Sequence, residues 1–164
     1  MTSGPISFWH PAKFLSTWFG VGLLRPAPGT WGTLAALPFA WGIAHYLMPS
    51  ALFLAAILAY AIGIWSSQVY SNLTRSHDAS EVVIDEVAGV WLTLAFAPVS
   101  VAGYAAAFLL FRLFDITKPW PIGWADKKLP GGFGIMTDDM IAGLFAGIII
   151  FLLDFNGWLP NVSL

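Results

Sequence analysis

Long apolar runs alternate along the chain with short segments rich in glycine, proline and hydroxyls. Leu34 to Met48 and Ala51 to Trp65 are separated only by Pro49 and Ser50, which predicts a helical hairpin. Each run is shorter than the roughly 20 residues a perpendicular membrane span prefers, so bilayer thinning or burial within a bundle is expected. Val87 to Phe111 is long enough for one span, but Ala97-Pro98-Val99-Ser100 interrupts it and predicts two short helices with a turn between them. A last apolar helix is expected after Gly131-Gly132-Phe133-Gly134. Those glycines read as a loop, with Thr137 as N-cap and Asp138 and Asp139 in the first turn.

Four polar or broken segments border these runs. Ser7 to Leu24 is interrupted by Pro11, Gly20 and Gly22 and is expected to lie in the interface. His10 there, and His45 in the first long run, read as headgroup-level or bundle residues rather than ligands. Arg25 to Thr33 (RPAPGTWGT) reads as a loop whose hydroxyls and helix N-terminal amides suit an anion. Ser67 to Ser80 reads as water-facing. Phe111 to Gly123 places Arg112, Asp115 and Lys118 at i, i+3 and i+6 before Pro119 and Pro121 stop the helix. That face can hold a phosphate with its two cations while Asp115 orients them or binds a metal.

Composition changes the picture from a soluble bundle to a membrane protein. Hydrophobic residues make up 58% of the 164 and charged residues 10%, against roughly 45–50% and 25% in ordinary globular chains. Nine Trp and 13 Phe suit interfacial belts. No basic run exists to follow a nucleic-acid backbone, so nucleic acid is not expected as a partner. Cysteine is absent, so a metal here needs oxygen or His ligands. The N-terminal stretch has neither an Arg-rich region nor a small-residue cleavage site, and no cleaved signal is expected. Every Lys and Arg falls on one side if the Val87 to Phe111 stretch doubles back, and the positive-inside rule puts that side in the cytoplasm.

One acidic pattern occurs twice. Asp85-Glu86-Val87-Ala88-Gly89 and Asp139-Met140-Ile141-Ala142-Gly143 both spell an acid, two residues, Ala and Gly at the mouth of an apolar helix. The helical period stacks each Gly one turn below its acid. Two such helices can cross at their glycines and gather Asp85, Glu86, Asp138 and Asp139 into one cluster. A small ion-coupled transporter or channel would also bury acids, but near the bilayer midplane, and only Asp154 lies inside an apolar run.

Taken together, GLLRPAPGTWGT, VIDEVAGVW, FRLFDITKPWPI and GGFGIMTDDMIAG resemble the bacterial phosphatidylglycerophosphatase A family, in its order, from Gly22 to Gly143. The resemblance implies an all-α, small integral-membrane helical bundle with short spans and a re-entrant hairpin. It would form one phosphatase domain over 1–164, with 1–32 as interfacial segment and phosphate loop and 33–158 as bundle. The implied reaction removes the terminal phosphate of phosphatidylglycerophosphate to give phosphatidylglycerol, with Mg2+ as cofactor, in a bacterial inner membrane with the site facing the cytoplasm. By motif, Asp85, Asp139 and Lys118 are the expected catalytic residues. Thr30, Gly32, Thr33, Arg112 and Lys118 would bind the substrate phosphate, and Asp85, Glu86, Asp115, Asp138 and Asp139 the metal. Arg25 lies outside the pattern. Water on the metal, with Asp139 as general base, is the expected nucleophile, an aspartyl phosphate being the alternative; His77 is a candidate proton donor to the leaving oxygen.

Overall fold

A computed structural model describes residues 6–75 and 79–160, and all the regular structure in them is helical. Seven α-helices follow in order: α1 (Pro11–Ser16), α2 (Pro28–Tyr46), α3 (Ala51–Thr74), α4 (Ile84–Leu94), α5 (Val101–Thr117), α6 (Ile122–Lys128) and α7 (Gly131–Phe155). Helix α2 runs away from one end of the bundle, which also holds the cavity described below, and α3 returns to it. Helices α4 and α5 repeat the excursion with their turn at 95–100, since the start of α4 and the end of α5 both line the cavity. The expected hairpin at Pro98 is therefore present. Helix α7 starts at the cavity end and leaves it for good.

Two helices, α3 and α7, are long and apolar enough to cross a membrane. The side-chain sizes are sorted in the way a lipid solvent asks for. Small residues fill the inside: Ala36, Ala40, Ala56, Ala88, Ala107, Ala142 and Ala146 are fully or almost fully buried, whereas Leu54, Ile57, Leu109 and Phe151 each leave more than half their surface exposed. In water such a face would aggregate; against acyl chains it costs nothing, and small residues inside let backbones approach.

A close backbone approach joins α4 and α7, as the paired acid-Gly pattern predicts. A Cβ on Gly143 would collide with the carbonyl oxygen of Gly89, and one on Gly89 would run into the Phe111 ring and the Asp139 carbonyl. The Thr93 hydroxyl lies 3.0 Å from the Gly89 carbonyl oxygen and 3.1 Å from that of Gly143, tying the crossing together from below. Farther along α7, Gly147 meets the Phe96 ring.

Three expectations about the polar segments are corrected. Gly131 to Gly134 is the first turn of α7 and not a loop, so Thr137 lies inside the helix, where its hydroxyl donates to the Phe133 carbonyl. The reason is packing: a Cβ at Gly132 would strike the Ile64 carbonyl on α3, and one at Gly134 the Leu129 carbonyl. Pro28 to Thr33 is likewise the first turns of α2. Ser67 to Thr74 continues α3 instead of facing water, with Ser67, Tyr70 and Ser71 buried. Gln68 on that stretch accepts a 2.9 Å hydrogen bond from the Gly132 amide, which fixes where α7 begins against α3. His10 caps α1, accepting from the Ala12 amide, and His45 stacks on Trp41.

Candidate active site

Five helices (α2, α4, α5, α6 through Asp126, and α7) and the segment before α4 enclose a cavity of about 490 Å³. Helix α2 supplies Pro28 and Gly29, preceded by Ala27. From the 79–83 segment and α4 come Ser80, Val82, Asp85 and Glu86. The end of α5 contributes Arg112, Asp115, Ile116 and Lys118, and α7 contributes Gly134, Ile135, Asp138 and Asp139. Asp85 and Asp139, 54 positions apart in the chain, meet here because α4 and α7 cross one turn below their acids.

The carboxylates fall into two sets. Asp85, Glu86 and Asp139 offer one oxygen each within 4.8 Å of one another. The Glu86 amide donates to Asp85 Oδ1 at 3.1 Å, and the nearest cation to this set is Arg112, whose Nη1 stands 3.7 Å from Glu86 Oε1. Asp115 and Asp138 are instead taken up by cations: Asp115 pairs with Arg112 one helical turn earlier, and Asp138 accepts from Lys118 Nζ at 2.6 Å. Of the five expected metal ligands, the structure thus gathers three and turns two toward basic side chains.

Burial pushes the Asp85 carboxyl well above the usual carboxylate range, with the Glu86 charge beside it adding to the effect. Burial pushes Glu86 up to about 8, although its hydrogen bond with Asp85 and the Arg112 charge pull it down. Two acids that resist ionisation side by side want a multivalent cation, which removes the repulsion that burial amplifies. Several oxygens and a nitrogen in the cavity are buried and lack a partner: Glu86 Oε2, Asp138 Oδ1, Asp139 Oδ2 and Arg112 Nε. Buried orphans of this kind are rare unless an ion or ligand completes them. An all-oxygen set of this kind could hold a hard divalent cation.

Lys118 ends α5 in the left-handed conformation, φ 43°, a turn that points its ammonium into the cavity. Burial works against its charge, but hydrogen bonds to Asp126 and Asp138 outweigh it and hold it above its usual range. Asp126, 2.5 Å from Lys118 Nζ, went unnoticed in the sequence because Asp126-Lys127-Lys128 looks like the solvated end of a short helix. Only the fold shows that α6 leans this carboxylate toward the cavity.

The expected phosphate loop is placed differently. Thr30, Gly32 and Thr33 do not line the cavity; Ala27, Pro28 and Gly29 do. Thr33 is fully buried with its hydroxyl donating to the Gly29 carbonyl at 2.8 Å, and Gly32 packs against Val83. Gly29 is the position where the lack of a side chain matters to the site, since a Cβ there would collide with Glu86 Oε1 and crowd Arg112. The first turn of α2 can still serve an anion through its amides. Arg25, left outside the expected site, pairs with Glu81 at 3.7 Å and donates to Ser80 at 3.1 Å. His77 lies outside the described residues.

The Phosphatidylglycerophosphatase A family profile matches residues 14–154. Phosphatidylglycerophosphatase A of Haemophilus influenzae is 39% identical over 151 residues, covering 92% of this chain and 93% of its own. The Escherichia coli protein of the same name is 40% identical over 146 residues, 88% and 83% of the two chains. A Bacteroides thetaiotaomicron protein, provisionally named a phosphatidylinositol-3-phosphatase, is 36% identical over 144 residues, 83% of this chain and 89% of its own. No solved structure matches the chain.

Proposed function

The chain belongs to the phosphatidylglycerophosphatase A family, and from that premise we propose that its cavity binds and hydrolyses the terminal phosphate of phosphatidylglycerophosphate. The protein is a lipid phosphatase of phosphatidylglycerol synthesis. We read residues 1–164 as one membrane-embedded catalytic domain. The observation that carries the site assignment is the division of the cavity: three carboxylates that share only the Arg112 guanidinium, 3.7 Å from Glu86, lie beside a space of headgroup size that Lys118 also borders.

In this reading Asp85, Glu86 and Asp139 hold Mg2+, which when bound neutralises charge on the transferring phosphoryl group. Arg112 and Lys118 contact the remaining phosphate oxygens, each already held in place by a carboxylate, Asp115 for the first and Asp126 with Asp138 for the second. Such preorganised charge needs no rearrangement as the reaction proceeds. The Gly29 amide at the start of α2 adds a donor at the open end. Asp139, with its buried free Oδ2, takes the proton of the attacking water as the new P–O bond forms. The bond to the glycerol oxygen breaks, that oxygen takes up a proton from solvent to leave as phosphatidylglycerol, and Asp139 returns its proton to solvent as inorganic phosphate departs.

Phosphate release from phosphatidylglycerophosphate in detergent micelles, with and without a chelator, tests the reaction and the metal together. We expect release with Mg2+ and none after chelation; full activity in chelator would remove the metal from the mechanism. All seven basic residues sit at the cavity end, which supports a multi-pass inner-membrane topology with that end in the cytoplasm. Single cysteines at the exposed positions Asn72 and Lys127 should both be labelled from that side only. Labelling from opposite sides would refute the topology.

A further inference from the structure

The rim of the cavity is built from two kinds of side chain. Ser80, Lys118 and Asp126 are polar and at least partly exposed, whereas Ala27 and Ile116 are apolar and exposed, Ile116 keeping 69% of its surface. Ile116 follows Arg112 by one turn of α5, so the helix face that carries the guanidinium into the cavity also carries an apolar side chain at its edge. Leu113 and Leu109 continue the same face at i−3 and i−7, 53% and 65% exposed. An uninterrupted apolar stripe therefore leads from the cavity mouth along the outside of the bundle. The cavity itself, about 490 Å³, has room for a phosphorylated glycerol headgroup but not for two acyl chains.

We propose that the diacyl part of the substrate leaves the cavity over a sill formed by Ala27 and Ile116 and lies along Leu113 and Leu109 of α5. Ile116 is then the residue by which the site prefers a membrane lipid to a water-soluble phosphate monoester. The polar rim at Ser80 and Asp126 faces the headgroup, and an amphiphile can enter in one orientation only, sliding sideways from the bilayer. This inference rests on the lipid-phosphatase reading and adds to it the path of the lipid and the residues that recognise its tails.

The test compares kcat/KM for dioleoyl phosphatidylglycerophosphate with that for its dibutyryl analogue, in the same micelles. Wild type should favour the long-chain lipid. In Ile116→Gln, neutral and of similar length, that preference should fall about tenfold, mostly through KM for the long-chain substrate, as expected from losing the burial of one aliphatic side chain. Ile116→Leu should restore most of it, and Ala27→Gln should lower it less but in the same direction. Ile116 lies in the last turn of α5, beside Lys118 and the exposed Trp120, where a polar amide is tolerated by the fold. An unchanged preference in both glutamine variants overturns the sill, as does a wild type that treats the two lipids alike. A wild type that hydrolyses neither lipid would instead refute the lipid-phosphatase reading itself.

Discussion

The two halves of the cavity solve opposite electrostatic problems with the same residue types. On the α4–α7 side, Asp85, Glu86 and Asp139 crowd together with one guanidinium at 3.7 Å. Around Arg112 and Lys118, Asp115 of α5, Asp126 of α6 and Asp138 of α7 are each paired to one of these two cations. The first half shares one distant guanidinium among three acids, whereas in the second every carboxylate has a basic partner, with only Asp138 Oδ1 and Arg112 Nε left unpartnered. What the contrast teaches is that a carboxylate's role is set by its neighbours: the paired ones position cations, and the unpaired ones await a cation from outside.

Breaking the unpaired half should have the largest effect. Asp85→Asn and Asp139→Asn are each expected to lose at least about two orders of magnitude in turnover, the scale of removing a preorganised charge from an active site. Phosphate release measured on detergent-purified variants checks this, and near-normal turnover in either would remove that carboxylate from the chemistry.

Next comes the crossing that brings the unpaired acids together. Gly143→Leu should separate α4 from α7 enough to cost about a hundredfold, since a misplacement of about 1 Å is worth that much in an aligned site. Gly143→Ala should cost less than Leu but still clearly hurt, because its methyl meets backbone, whereas Gly147→Ala meets only the Phe96 ring and should be mild. The expected order of activity is wild type, Gly147→Ala, Gly143→Ala, Gly143→Leu, with Leu144→Ala on the exposed face as an indifferent control. A Gly143→Leu protein that folds with full activity would show that something else assembles the acids.

In the paired half, Asp126→Asn removes one of the two carboxylates on Lys118 and should lower kcat/KM by about tenfold or less, the range of a single partly exposed charge-assisted hydrogen bond. Loss comparable to Asp139→Asn would mean that the halves are not distinct.

The smallest effect concerns stability in chelator. Glu86 has a folded pKa of about 8 against an ordinary 4.5, and Asp85 is raised as well. The folded state then binds protons more tightly than the unfolded one, so this pair destabilises the metal-free protein above pH 8 and ceases to do so as pH falls toward the ordinary carboxylate range. Melting in chelator should occur at higher temperature at pH 6 than at pH 9, with the gap narrowing when Mg2+ is added. An unchanged gap would deny these acids the metal.

Much of the site was legible in the chain because helical period is a local property. Asp85 above Gly89 and Asp139 above Gly143 needed only 3.6 residues per turn, and the repetition of the pattern pointed to a crossing that the structure contains. The interruption at Pro98 was equally readable, since proline and its neighbours break helices by local sterics. Where local signals conflicted with packing, the reading failed. Gly132, Gly134, Gly29 and Gly32 look like loop formers, yet each lies in a helix where another element comes too close for a Cβ. Glycine's two uses, freedom of backbone and absence of bulk, are the same letter in a sequence.

Composition and run length determined by themselves that this is an all-helical chain suited to an apolar solvent, although Asp138 and Asp139, expected in the first turn of their helix, lie about two turns inside α7. They do so because solvent preference and helical period act residue by residue. Only the tertiary structure decided which acids share a cation and which stand unpaired, that Thr33 faces inward while Gly29 borders the cavity, and that Asp126 holds Lys118. Those outcomes depend on distances between residues far apart in the chain, and a few ångströms across a helix contact settle them.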